Sequence, residues 1–156
     1  MTTVDPIPDG FHSVTPYLVV DGADDAMAFY RAAFGAVDVM RLAGPDGRLG
    51  HAQMRVGNSM IMLSDEFPDM GVRGPRTLGG AAVTMVIYVP DVDATVAQAV
   101  AAGGQLTREV SEQFFGDRTG VIEDPFGHTW HVHTHVRDVP QEELEKAAYE
   151  MMASGE

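Results

Sequence analysis

The chain has 156 residues, with 10 Lys and Arg against 23 Asp and Glu and a formal net charge of -13. A surface of that sign repels phosphate backbones and anionic lipid headgroups, and the basic residues are scattered without interleaved aromatics, so neither nucleic acid nor a membrane is an expected partner. There is no cysteine, which removes disulfides, thiolate metal sites and thiol nucleophiles and leaves histidine and oxygen donors.

Apolar residues make up 45% of the chain, enough for one compact domain over residues 1–156. Met1 to Phe11 has neither a basic start nor an apolar run, and no stretch reaches the roughly 20 apolar residues of a membrane helix. A cytoplasmic location is expected. Val14 to Val20 is β-branched and aromatic and reads as a strand. After Asp21-Gly22, Ala23 to Phe34 has apolar residues at helical spacing, with Gly35 at the C-cap. Val37 to Leu42 reads as a strand ending at Gly44-Pro45-Asp46-Gly47. Gly50 to Val56 and Ser59 to Leu63 read as a hairpin across Gly57-Asn58, a connection suited to positive φ.

Asp65 to Gly80 is rich in Pro, Gly, Asp and Arg and reads as a surface connection that can rim a pocket. Val83 to Val89 is the next strand, Asp91 a helix cap, Val92 to Ala102 a helix and Gly103-Gly104 its end. Leu106 to Val110, Arg118 to Glu123 and Thr129 to His135 supply three more strands. Both halves, about 13–64 and 82–136, therefore read β-α-β-β-β at an offset of 69 residues, with Thr15 on Thr84, Val20 on Val89, Gly35 on Gly104 and Gly57 on Phe126. The expected fold class is α+β: paired modules whose sheets form a curved cup. After Pro140, Gln141 to Met152 reads as an amphipathic helix with an acidic face, suited to terminal packing or dimer contact.

The last strand carries His131, His133 and His135 at alternate positions, so the three imidazoles share one face at steps of about 6.6 Å. Two imidazoles at i and i+2 can converge on one metal ion; they can equally be solvated or hydrogen-bonded packing residues.

Pro16-Tyr17-Leu18-Val19-Val20-Asp21, Phe29-Tyr30 with Phe34-Gly35, Gly50-His51-Ala52, Ile61-Met62-Leu63, Gly116-Asp117-Arg118 and Asp124-Pro125-Phe126-Gly127-His128 together resemble the vicinal oxygen chelate superfamily. Within it, the Thr134-His135 ending and the acidic helix after it resemble the PhnB-like branch of the glyoxalase and bleomycin-resistance proteins. The resemblance implies paired βαβββ modules, usually in a homodimer, around a cup that in some members holds a divalent metal ion. That ion chelates adjacent substrate oxygens in lyases, isomerases, epimerases and dioxygenases. Non-enzymatic members sequester antibiotics in the cup without metal.

The four glyoxalase-type ligand positions fall on Thr15, Met62, Thr84 and His131, of which only His131 is a good ligand for zinc or nickel. A different metal site can use His131 and His133 with His51 or Gln53 from the neighbouring strand, which makes one divalent metal ion the candidate cofactor and His131 the candidate catalytic residue. Thr15, Met62, Thr84, Phe115, Arg118 and Trp130 are candidates for lining a ligand site. Phe114, Phe115 and Trp130 can stack on a planar ligand or belong to the core. Arg118 can grip a carboxylate or pair with Asp117 or Asp124, and Glu123 can be a base or a capping group. The leading expectation is a homodimeric protein binding a small organic molecule; the alternatives are a metal-assisted isomerase, lyase or dioxygenase, and a structural subunit.

Overall fold

A computed structural model describes residues 3–155, so residues 1, 2 and 156 of the expected domain lie outside it. The first unit comprises β1 (Tyr17–Val20), α1 (Ala23–Phe34), β2 (Val37–Ala43), β3 (Leu49–Val56) and β4 (Ser59–Asp65). The connection that follows holds a 3-10 turn, Pro68–Met70, and a short helix α2 (Pro75–Leu78). The second unit comprises β5 (Met85–Tyr88), α3 (Val92–Ala101), β6 (Gln105–Glu112), β7 (Asp117–Glu123) and β8 (Thr129–His135), and α4 (Gln141–Ser154) ends the chain. Each unit makes one mixed sheet, in the orders β1-β4-β3-β2 and β5-β8-β7-β6. In each, the first strand lies parallel to the last and the other neighbours are antiparallel.

β1 and β5 are shorter than their apolar runs. Pro16 has no N–H to extend the first ladder, and at the end of the second Pro90 is equally barred. Asp91 caps α3 as expected, accepting the Ala94 N–H. Gly22 offers α1 no side-chain cap. The buried Asp65 carboxylate on β4 takes that role, accepting the N–H groups of Gly22 and Ala23 at 2.9 and 2.8 Å and of Leu49 at 2.7 Å. Of the Gly57-Asn58 pair only Gly57 takes a positive φ.

The 69-residue offset holds for the parallel pairs, Tyr17 with Met62 and Val86 with His131. It becomes 68 on β7: Ala52 pairs with Leu63, whereas Gly120 pairs with Val132. The cause is one extra residue in the turn between β7 and β8. Asp124 shapes that turn: its Oδ1 accepts the N–H groups of Phe126 and His128, both at 2.9 Å, and Gly127 takes the positive φ of 93° that closes it.

The core lies between the units, where α1 packs against α3 and each helix packs on its own sheet. Tyr30 and Phe34 of α1 meet Trp130 of β8, with ring centroids 5.2 and 4.7 Å apart. Asp124 Oδ2 accepts Tyr30 Oη–H at 2.6 Å and Trp130 Nε1–H at 3.0 Å. Burial, then the Asp124 charge, pushes the Tyr30 phenol well above its ordinary range, so it remains a donor. Gly120 permits the close seat of α3, because a Cβ there would meet Val110 at 2.9 Å and Val96 at 3.2 Å. No residue of α4 is buried. Among the described residues no helix is long and apolar enough to cross a membrane.

Replacing Tyr30 by Phe removes one charge-assisted hydrogen bond and is expected to cost about 1.5–3 kcal/mol. Asp124→Ala, which strands the phenol and the indole N–H in the core, is expected to cost more still. Urea unfolding of the two variants checks this; losses under ~0.5 kcal/mol in both would mean that Asp124 does not hold the units together.

Candidate functional site

Strand alternation divides β8 into two faces. Trp130 and Val132 are buried in the core, whereas His131 and His133 lie on the outer face, turned away from α1 and α3. Cross-strand pairing lays out two rows on this face. Val86, His131, Val121 and Arg108 form one, and Tyr88, His133, Thr119 and Ser111 the other, with His135 and Asp117 paired beyond them. Phe115 closes one side, its ring parallel to that of His133 within 29° at 6.1 Å, and Tyr88 meets His133 edge-on at 5.3 Å. The rings of His131 and His133 lie 6.3 Å apart and 30° from parallel.

Asp117 organises the polar part of the face. Its side chain is 6% exposed; Oδ2 lies 2.8 Å from His133 Nδ1 and Oδ1 2.7 Å from His135 Nδ1. Burial alone raises its pKa, but the hydrogen bonds from the two histidines outweigh that and hold it below the usual carboxylate value. An ionised carboxylate only accepts, so both Nδ1 atoms carry the proton. His135 Nε2 faces a second carboxylate, Asp138, at 2.7 Å, and the Asp138 and Asp117 bonds raise its pKa, favouring the charged form. His131 is shifted the other way, lowered chiefly by its burial.

On the first sheet the outer face carries Tyr17, Met62, Gln53 and Met40 in one row, with His51 and Leu42 beside them. Tyr17 Oη lies 2.9 Å from His51 Nδ1, and Gln53 Nε2 3.1 Å from His51 Nε2. The 66–84 connection walls a cavity of about 400 Å³ with the start of β1, lined by Leu18, Arg73, Pro75, Leu78, Val83 and Met85 among others.

The sequence-derived residues thus divide. Met62, His51, His131, His133 and Phe115 lie on outer faces, while Thr15 and Thr84 stand just before β1 and β5. Trp130 and Arg118 do not line this face. Trp130 is the centre of the core, and Arg118 reaches to α3, where it pairs with Asp93 at 2.8 Å rather than with Asp117 or Asp124. Glu123 is exposed at the strand end and Phe114 packs edge-on against Phe115. Sequence reasoning missed Val86, Tyr88 and Arg108 as parts of the face, and Asp117 as its anchor. Period-two alternation along β5 carries the first two; the others need the hairpin register.

The donors present do not fit a resident metal ion. His51 and Gln53 stand on β3 of the first sheet and not on a strand neighbouring β8, whose neighbours are β5 and β7; both nitrogens of His51 are engaged there, and His133 Nδ1 belongs to Asp117. Among the described residues no three His, Asp or Glu side chains are placed to hold a metal together, and Thr15, Thr84 and Met62 are poor ligands for hard or borderline divalent ions.

The Asp117–His135 pair has a defined pH window. A carboxylate with a lowered folded-state pKa contributes stability that is lost as pH falls through that value. An imidazole with a raised one contributes stability present in full below the unfolded value and lost as pH rises through the folded value. The pair therefore stabilises between the lowered Asp117 and the raised His135 values. Melting temperature followed against pH is expected to decline on the alkaline side of that window, and His135→Asn to flatten the decline; parallel profiles would assign it elsewhere.

A family model described as the Glyoxalase/Bleomycin resistance protein/Dioxygenase superfamily matches residues 10–132. An uncharacterized protein of Mycobacterium bovis is 43% identical over 138 residues, which cover 86% of this chain and 91% of that protein. Among solved structures, an Arabidopsis thaliana gene product superposes with a TM-score of 0.63 at 28% identity, covering 78% of this chain and 98% of its own. A Pseudomonas aeruginosa protein does so at 0.65 and 22%, covering 81% and 99%, a likeness of fold alone. The matched residues take in both βαβββ units as far as Val132, and the chain belongs to the glyoxalase/bleomycin resistance protein/dioxygenase superfamily.

Proposed function

We propose that this chain is a small-molecule-binding protein of the PhnB-like branch, and that it holds a planar organic ligand, without a metal ion, on the outer face of the second sheet. The observation that carries this reading is the apolar surface left open there. Val86 is 52% exposed, Tyr88 65% and Phe115 37%, around the largely buried imidazole of His133. Exposed apolar and aromatic groups gathered around a few polar atoms are the ordinary makeup of a ligand surface, and aromatic faces favour a flat partner. Thr84 and His131 border the same surface.

A sheet face alone is shallow, and ligand sites bury most of the ligand. The first sheet leaves a comparable outer face open, with Tyr17 48%, Met40 41% and Leu42 55% exposed and Met62 between them. A homodimer that sets the first sheet of one copy over the second sheet of the other encloses a cup and covers both patches, the closed symmetric arrangement most soluble oligomers adopt.

Two measurements test the reading. A panel of planar aromatic carboxylates and phenols, screened by ligand-induced thermal shift, is expected to yield binders whose effect persists in chelator. Tyr88→Ala is expected to weaken them about tenfold, the loss of one stacking contact of roughly 1.4 kcal/mol. Binding that chelator abolishes, or that Tyr88→Ala and Val86→Asp leave intact, would move the ligand off this face. Light scattering is expected to give twice the chain mass, falling to the monomer in Leu42→Glu; a monomeric wild type would sink the shared cup.

A further inference from the structure

His133 presents an unpartnered ring nitrogen to this face. His133 is 8% exposed and its Nδ1–H is tied to the buried Asp117 carboxylate, so its remaining nitrogen, Nε2, carries a lone pair. Nε2 has no hydrogen-bond partner among the described residues, yet no fully buried side-chain nitrogen or oxygen lacks one. The atom therefore reaches the outer face. It emerges among Tyr88, Phe115 and His131, which fix the ring from three sides. One row away stands Arg108, across Val121 from His131, exposed and in no ion pair among the described residues.

We propose that His133 is a metal-independent general base, with Asp117 as its positioning residue, acting on carbon acids whose conjugate base is a delocalised oxyanion. The proposal rests on the ligand face described above and names the chemistry done there. A carbonyl-activated C–H lies toward His133 Nε2 and the carbonyl oxygen toward Arg108. The C–H bond breaks, its electron pair moves into the carbonyl to leave an enolate oxygen beside the guanidinium, and the proton goes to Nε2. The resulting imidazolium keeps its Nδ1–H on Asp117, whose negative charge offsets the new positive one. Return of the proton from Nε2 to another carbon of the same enolate face completes an isomerisation, which needs no oxidant or further reactant. Such a carboxylate–imidazole pair fixes the ring orientation and disfavours the tautomer that would place the proton on the outward nitrogen.

The test uses the full chain and 5-nitrobenzisoxazole in chelator near neutral pH. This carbon acid opens when a base takes its ring proton: the C–H electrons form the nitrile, the N–O bond breaks, and a coloured phenolate leaves. Wild type is expected to open it at least ~100-fold faster than His133→Asn, the lower end of what a placed base contributes. Asn is chosen because its amide nitrogen stands near the Nδ1 position and keeps the bond to Asp117, so the variant retains the fold while losing Nε2. Imidazole nitrogen NMR of the wild type is expected to show His133 protonated at Nδ1 and bare at Nε2, with that preference lost in Asp117→Asn. A rate unchanged in His133→Asn overturns the proposal, as does a proton found on Nε2. If the probe shifts the Val86 and Tyr88 resonances but is not opened, the base is refuted while the binding face stands. If it neither shifts them nor reacts, both fail.

Discussion

The Asp124 carboxylate accepts four hydrogen bonds at the junction of the two units, from two backbone amides of its own turn, the phenol of Tyr30 on α1 and the indole of Trp130 on β8. The backbone bonds set the shape of the turn, and the side-chain bonds tie that turn to the first unit. A carboxylate buried without such partners would be several kcal/mol too costly to keep, so the turn, the helix and the aromatic core hold one another in place.

The consequence reaches the outer face. The Asp124 turn is one residue longer than its counterpart in the first unit, and because side chains alternate with period two, that residue decides which face each β7 side chain takes. With it, Asp117 stands opposite His135 and Thr119 opposite His133. Without it, the β7 set would be displaced by one, and Asp117 would point into the core. A structural constraint in the interior thus determines where the Asp117 carboxylate lies some seven residues earlier in the chain.

Among the described residues three carboxylates are buried, and their partners separate their roles. Asp65 accepts three backbone N–H groups at the start of α1 and β3. Asp124 accepts two backbone groups, a phenol and an indole, none of which titrates near neutrality. Asp117 alone accepts from two imidazoles, groups whose protonation changes in the physiological range. It stands on an open sheet face, while the matching face of the first unit holds Tyr17, His51 and Gln53 in a closed set of hydrogen bonds.

The sequence by itself determined the elements and their duplication. Helix α1 with its Gly35 cap, the Asp91 cap of α3, the bounds of β8 and the doubled β-α-β-β-β order are all carried by periodicity and turn chemistry within a few residues. It also placed His131 and His133 on one face, since alternation within a strand is local. Only the tertiary structure decided what those faces meet. Trp130 and Arg118 were candidates for a ligand surface, but they are the even-numbered neighbours of the outer-face residues. One is held in the core by Phe34 and Tyr30, and the other is drawn to Asp93 across the helix–sheet interface. The grip of Asp117 on His133 joins residues 16 apart through a hairpin register set by the turn. The Tyr17–His51 contact joins residues 34 apart across β4. Such contacts depend on strand order and register, which are properties of the assembled sheet and not of any short stretch of chain.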